Sequence, residues 1–193
     1  MTDTYFIVEA SHLFRAGEIF SVQIYVVDVV NYLARTIFQT EATHSWVLFG
    51  SVKEEQAEKY TAAVERTGVE VVRMEALDSR LNNGAKFYKP SVYLHSILKE
   101  IPVGSNIVLV GFHNTRFEEI LKRYQNDFQI SMAAFTTRSK SGMEMKIPSQ
   151  FVPFLKYSLS LDNHIDGIKN EFKRASLNVD ETSEIISNNQ LEE

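Results

Sequence analysis

Short apolar runs alternate with amphipathic stretches along this chain, and this alternation constrains the fold more than any other feature of the sequence. Each run has the length of a buried strand and is bounded by polar or turn-forming residues. The runs are TYFIVEAS (4–11), SWVLFGS (45–51), VEVVRME (69–75), NIVLVGF (106–112) and FQISMAAF (128–135). Strands that alternate with helices form a parallel sheet with helices on both faces. The sequence therefore predicts a three-layer α/β/α domain with five strands, or six if DNHIDGI (162–168) adds a short one.

The stretches between these runs carry the signals of helices and loops. A helix is predicted from Asp28, a candidate N-cap, and a surface helix is predicted to end at Gly68. Pro90 suits the first turn of another helix. Further helices are predicted in RFEEILKRYQN (116–126) and IPSQFVPFLKYSLSL (147–161), and loops in ALDSRLNNGAKFYK (76–89) and TTRSKSGMEMK (136–146).

Length and charge indicate one domain followed by an acidic tail. The chain has 193 residues, which suits a single domain over 1–168 and a tail over 169–193 that is partly helical or disordered. The net charge of −5 argues against affinity of the whole protein for nucleic acid. That argument is weak, because residues 178–193 alone hold five carboxylates and no basic residue.

Several functional classes lack the residues that they need. The chain has no cysteine, which excludes disulfides, thiolate zinc sites and cysteine nucleophiles. It has no dinucleotide-binding G-x-G-x-x-G, no Walker A sequence and no G-x-S-x-G, so a nicotinamide enzyme, a P-loop enzyme and a serine hydrolase are not expected. No apolar run is long enough to span a membrane, and the first residues do not resemble a secretory signal. A cytoplasmic protein without membrane partners is the default expectation.

A polar turn follows the fourth predicted strand and carries Gly111, His113, Asn114, Thr115 and Arg116, but no carboxylate. Such turns at the carboxyl ends of parallel strands are where α/β proteins hold their ligands. The structural interpretation is that Asn114 or Thr115 caps the following helix, with a glutamate three or four residues on completing a capping box. The functional interpretation is that Asn114, Thr115 and Arg116, with His12 after the first strand, bind a ligand.

Two stretches resemble a known family, the NYN domains of the PIN-like nucleases. The stretch IVEASHLF (7–14) resembles the family's opening motif of two apolar residues, Asp, Gly, any residue, Asn, Leu and an aromatic, with Glu9 at the Asp and His12 at the Asn. VLVGFHNTRF (108–117) is similar to its V-L-V-S-G-D-x-D-F, with Asn114 and Arg116 at the two Asp positions. The resemblance covers roughly residues 4–168 and implies a PIN-like, Rossmann-like α/β/α fold.

The resemblance also implies what is altered in this chain. Family members cut RNA with Mg²⁺ or Mn²⁺ held by carboxylates at the strand ends. Here Asn114 offers only a neutral carbonyl, and the permanent cation of Arg116 would repel a metal ion and is expected to pair with Glu9. We therefore expect a non-catalytic member of the fold, without a metal or other cofactor, that binds a protein partner or RNA.

Two alternatives remain open from the sequence. One is an atypical metal-dependent ribonuclease in which Glu9 and Asp162, with Glu75 or Glu119, hold Mg²⁺ or Mn²⁺. Asp162 falls in FLKYSLSLDNHID (154–166), which resembles a late segment of the family. The other alternative is a self-associating structural protein that forms a homo-oligomer and has no ligand site. Glu9, His12 and Asp162 could equally be ordinary polar residues at strand ends and turns.

Two predicted loops carry basic residues that suit a phosphate backbone. The candidate binding residues in them are Lys86, Lys89, Arg138 and Lys140. With the aromatic side chain of Tyr88, they are expected to form a basic rim for RNA. The alternatives are two solvated loops, or a protein interface marked by Tyr88 and Tyr93.

Overall fold

A computed structural model describes residues 2–50, 54–74, 90–139 and 141–171 of the chain. Its strands are β1 (Thr4–Glu9), β2 (His44–Phe49), β3 (Glu70–Arg73), β4 (Asn106–Val110), β5 (Gln129–Ala134), β6 (Thr137–Arg138), β7 (Glu144–Met145) and β8 (Tyr157–Ser160). Its helices are α1 (Ala10–Phe20), α2 (Val26–Tyr32), α3 (Glu54–Glu65), α4 (Pro90–Glu100) and α5 (Glu118–Tyr124). Short 3₁₀ turns lie at Thr115–Phe117, Ser149–Phe154 and Asp162–His164, a π-helical segment at Leu33–Phe38 extends α2, and a helix covers 165–171.

Six parallel strands form the central sheet in the order β3-β2-β1-β4-β5-β8. The order runs outward in both directions from the middle, as in doubly wound α/β proteins. Helices cover both faces of the sheet, so the predicted three-layer α/β/α fold is confirmed. The switch in winding direction falls between β1 and β4, which places any ligand crevice at their carboxyl ends.

The central strands are buried on both faces because alternate side chains enter two different cores. Phe6 and Val8 of β1 pack with α1 and α2, whereas Tyr5 and Ile7 pack with α4 and α5 on the other face. All six residues of β1 are buried, which explains why its central residues, 5–8, are continuously apolar without alternation. Each large apolar side chain buried in this way contributes about 1.5–3 kcal/mol.

The first helix starts one residue after β1 and was not predicted. Ala10, His12, Leu13 and Ala16 are buried, and Ala10, Leu13 and Ala16 have the spacing of one helix face. The predicted N-cap at Asp28 was wrong, because α2 begins at Val26 and Asp28 lies buried in its first turn.

The sixth strand was predicted in the wrong place. It is formed by Tyr157–Ser160, within a segment predicted to be helical, and pairs with β5 at the sheet edge. The predicted strand DNHIDGI (162–168) is instead a 3₁₀ turn followed by helix. The alternating polar and apolar residues of YSLS are the strand signal, which the longer apolar pattern around them obscured.

The basic loop over 136–146 contains a short antiparallel hairpin, β6 and β7, that carries residues back over the carboxyl edge of the sheet. The predicted domain boundary at residue 168 falls inside the helix over 165–171, and residues 172–193 of the predicted tail lie outside the described part. In the described ranges, no helix is long and apolar enough to cross a membrane.

Candidate functional site

A pocket of about 400 Å³ opens at the carboxyl edge of the sheet, at the ends of β1, β2 and β4. This is the switch point of the strand order, where doubly wound proteins bind ligands. Its apolar walls include Phe14, Phe49 and Met74, and Met145 of the hairpin lies against it. Its polar lining consists of Glu9, Ser11, Arg15, Ser91, His113, Asn114 and Arg116.

Glu9, the last residue of β1, is the carboxylate that faces this pocket among the described lining residues. Its Oε1 accepts a hydrogen bond from the Ser11 hydroxyl, and its Oε2 lies 3.8 Å from Nη2 of Arg15. Arg15 in turn donates to the Ser11 hydroxyl (3.0 Å) and to the Ser11 carbonyl (3.2 Å). The first turn of α1 therefore holds the carboxylate and the guanidinium side by side.

Burial dominates the electrostatics of Glu9. It raises the pKa of the carboxyl, and the Ser11 hydroxyl, the Arg15 charge and the backbone N–H groups of His12 and Ser11 act in the opposite direction. The expected pair between Glu9 and Arg116 is not formed; Arg15 takes the position next to the carboxylate. Arg15 was not among the predicted site residues, because it lies beside Glu9 only when residues 10–20 form a helix. The helical spacing of the apolar residues in this segment was the signal that could have identified it.

His12 lies behind the pocket wall instead of in the pocket. The ring is fully buried, and its Nε2 accepts a hydrogen bond from the Phe135 backbone N–H at 3.0 Å. Burial, and to a lesser extent the neighbouring His113 and Arg15, lower the pKa of His12 to about 3. The imidazole is therefore a neutral core group at pH 7, and the ligand contact predicted for it is not supported by its position.

His113 stands between this core and the pocket. Its ring lies 5.1 Å from that of His12, and burial, followed by the Arg15 charge, lowers the pKa of His113 below the ordinary value. The Gly111 carbonyl acts in the opposite direction. Within the described part of the chain, the Nδ1 atoms of both rings are buried without a hydrogen-bond partner.

The polar residues of the turn after β4 cap the following 3₁₀ turn and also line the pocket. The Asn114 side chain accepts from the Arg116 backbone N–H at 3.0 Å, so the predicted cap is present at the start of the 3₁₀ turn. Glu118, a candidate for the capping box, bonds to Lys122 and Gln150 instead. Asn114 and Arg116 nevertheless line the pocket, and Thr115 is exposed beside them.

Asp162 does not line the pocket that contains Glu9 and lies instead beside the hairpin of β6 and β7. Its Oδ1 accepts from the Thr136 backbone N–H at 2.8 Å, and it lines two other pockets, one of them shared with Arg138 and Glu144. In the described ranges, no group of three His, Asp or Glu side chains is arranged to hold a metal ion. Of the other predicted residues, Glu75, Lys86, Lys89 and Lys140 lie outside the described residues.

Fold and pocket together define an α/β/α protein of the doubly wound class with a ligand-sized pocket at its switch point. No family model matches the chain, and no curated protein matches it. Among solved structures, it is similar to a protein of unknown function from Vibrio parahaemolyticus. The two are 9% identical with a TM-score of 0.56, over 83% of this chain and 94% of that chain. This likeness supports the fold alone.

Proposed function

We propose that this protein is a non-catalytic binding module, in keeping with its resemblance to the NYN domains, and that it binds single-stranded RNA in the carboxyl-edge pocket. Cationic and amide side chains stand at a pocket whose walls are aromatic and apolar. Proteins that bind single strands combine these two features, because the backbone is anionic and every base has a face that stacks.

The proposal rests on the exposed guanidinium of Arg116. Its side chain is exposed on the pocket wall, and among the described residues its guanidinium has no carboxylate or other hydrogen-bond partner. A guanidinium stays protonated and offers five donors in a planar fork that suits phosphate. Arg15, with 41% of its side chain exposed, adds a second cation.

The shape of the pocket favours RNA over a protein partner. A concave volume of about 400 Å³ suits a small group such as one nucleotide. Protein interfaces instead bury a broad surface of roughly 800 Å² on each partner.

Binding of a fluorescently labelled single-stranded RNA decamer, followed by anisotropy over a range of salt concentrations, tests the proposal. Replacing Arg116 by alanine is expected to weaken binding and to reduce the slope of log K against log salt by about one, because one phosphate contact is lost. Arg66→Ala is the matched control, since Arg66 is exposed beyond the end of α3 and does not line the pocket.

Equal weakening by the two substitutions would show that RNA senses only overall charge, and would contradict the proposed site. The absence of RNA binding at low salt would contradict the function itself and leave the protein partner as the hypothesis to pursue.

A further inference from the structure

Glu9 and Arg15 present an acceptor and a donor next to each other on one wall of the pocket. Oε2 of Glu9 lies 3.8 Å from Nη2 of Arg15, so the two groups are adjacent but not joined by a short hydrogen bond. Both are held in place by Ser11, whose hydroxyl donates to Glu9 and accepts from Arg15. The pair is therefore preorganised on the first turn of α1 and does not depend on a flexible loop.

Both side chains keep hydrogen-bonding capacity for a ligand. A carboxylate has about four lone-pair sites; the Ser11 hydroxyl occupies one site on Oε1, and the backbone N–H groups of Ser11 and His12 act on the carboxylate without forming a helix-cap hydrogen bond. The guanidinium of Arg15 has five donors, of which its contacts with Ser11 use two. Only 10% of the Glu9 side chain is exposed, so a ligand group must enter the pocket to reach it.

The pattern of this pair matches one nucleobase. Guanine has two neighbouring donors, N1–H and the 2-amino group, beside the acceptor O6. A carboxylate accepts both donors in a bidentate arrangement, while an adjacent guanidinium donates to O6. Adenine and cytosine place a ring-nitrogen acceptor next to their amino group, and uracil places a carbonyl on each side of its single N–H. In the same arrangement each of these bases would place an acceptor lone pair against a carboxylate oxygen, which is repulsive.

The walls of the pocket suit the flat faces of a base. Phe14 is 43% exposed and packs edge-to-face on Phe49, with ring centroids 6.0 Å apart. Gly50 adds no side chain to the lining, and a Cβ atom built on it would meet only the Met74 methyl group at 3.5 Å. Arg116 is on the same pocket, in a position to contact the phosphate of a nucleotide whose base is inside.

We infer that the pocket takes one unstacked base of the bound RNA and selects guanine through the adjacent Glu9 carboxylate and Arg15 guanidinium. The inference rests on the proposed RNA binding, and it adds the base specificity of the site.

Four labelled uridine decamers that differ only in one central nucleotide, guanosine, adenosine, cytidine or uridine, test this inference with the full chain. The guanosine decamer is expected to bind roughly tenfold more tightly than the others. A fifth decamer with central inosine, which lacks the 2-amino group, is expected to lose most of that preference without any change in the protein.

Glu9→Gln should abolish the preference because it replaces one acceptor oxygen by a donor, and its folding is checked by circular dichroism. Glu100→Gln is the matched control, since Glu100 is exposed at the end of α4 and does not line the pocket. Equal binding of all decamers, an inosine decamer as tight as the guanosine one, or a preference that survives Glu9→Gln would overturn the inference but leave the RNA-binding function standing. Failure of every decamer to bind would overturn both.

Discussion

Gly111 determines how closely the turn after β4 approaches the first helix. Its φ of +87° lies in the left-handed region, and a Cβ atom built on it would stand 2.6 Å from Cβ and Cγ of His12. The position therefore requires glycine for two independent reasons, backbone conformation and lack of space. This contact fixes the distance between the wall that carries His113 and the helix α1, which carries Arg15.

Gly111→Ala is expected to lower the free energy of unfolding by about 3 kcal/mol or more, because backbone strain and a clash with a buried ring add together. Gly104→Ala is the matched control. Gly104 also has a positive φ, +92°, but its Cβ would meet nothing within 4 Å, so strain of about 1 kcal/mol is expected. Urea denaturation compares the two variants. Equal losses would mean that the close approach of Gly111 to His12 contributes nothing.

At the scale of elements, residues 164–171 contact α2 and its π-helical extension through both attractive and repulsive interactions. The Tyr32 hydroxyl lies 2.8 Å from Nδ1 of His164, and Gly167 allows the Tyr32 ring to approach the helix backbone. Glu171 pairs with Arg35 at 3.5 Å but also faces Asp28. Repulsion between the buried carboxylates of Asp28 and Glu171 thus opposes the packing that the other contacts favour.

The stability of this packing is expected to depend on pH. Burial and the nearby charge of Glu171 raise the pKa of Asp28 from 3.8 to about 6. The folded state therefore binds a proton more tightly than the unfolded chain, and the stability from this group is lost as pH rises from about 4 through about 6. Asp28→Asn removes the effect, so the variant should gain up to about 3 kcal/mol relative to the wild type between pH 4 and pH 7.5.

Urea titrations of both proteins at these two pH values measure the difference. Asp166→Asn is the control, on the helix over 165–171 that packs against α2, because the Asp166 side chain is 91% exposed and the stability of this variant should change little. A difference between Asp28→Asn and wild type that is the same at both pH values would show that Asp28 does not titrate as inferred.

At the scale of the whole molecule, the strand order collects the polar residues at one edge but distributes the acids among separate pockets. Glu9 faces the carboxyl-edge pocket with two arginines, whereas Asp162 is engaged by the Thr136 backbone beside the hairpin. A hydrolytic metal site needs several anionic oxygens around one ion. The described residues do not bring such a set together.

We therefore expect labelled RNA to remain intact when it is incubated with the protein and Mn²⁺, as followed by gel electrophoresis. Cleavage that Glu9→Gln abolishes would contradict this expectation and would establish the ribonuclease that the sequence left open as an alternative. Cleavage that persists in the variant would point to a contaminating nuclease.

The sequence alone predicted the layered architecture of the domain but did not predict the strand at one edge of its sheet, β8. The apolar runs of β1, β2, β4 and β5 predicted the buried strands because burial on both faces requires continuous apolar residues. The edge strand β3 was predicted as well, although it is only partly buried. β8 was missed because the weak pattern of its four residues lies inside a longer apolar stretch. A cap at Asn114 or Thr115 was predicted, and Asn114 forms it, because capping is a local interaction between residues close in sequence; the predicted capping box with Glu118 is not formed.

The composition of the candidate site was decided by tertiary structure. The sequence placed Glu9, His113, Asn114 and Arg116 at strand ends, and parallel pairing was enough to predict that strand ends meet. It did not predict that Arg15 would lie beside Glu9, that His12 would turn into the core, or that the hairpin would bring Met145 to the pocket. Each of these depends on helix phase or on contacts between distant segments. Local residue patterns determine which elements form, whereas the packing of those elements determines which side chains face each other.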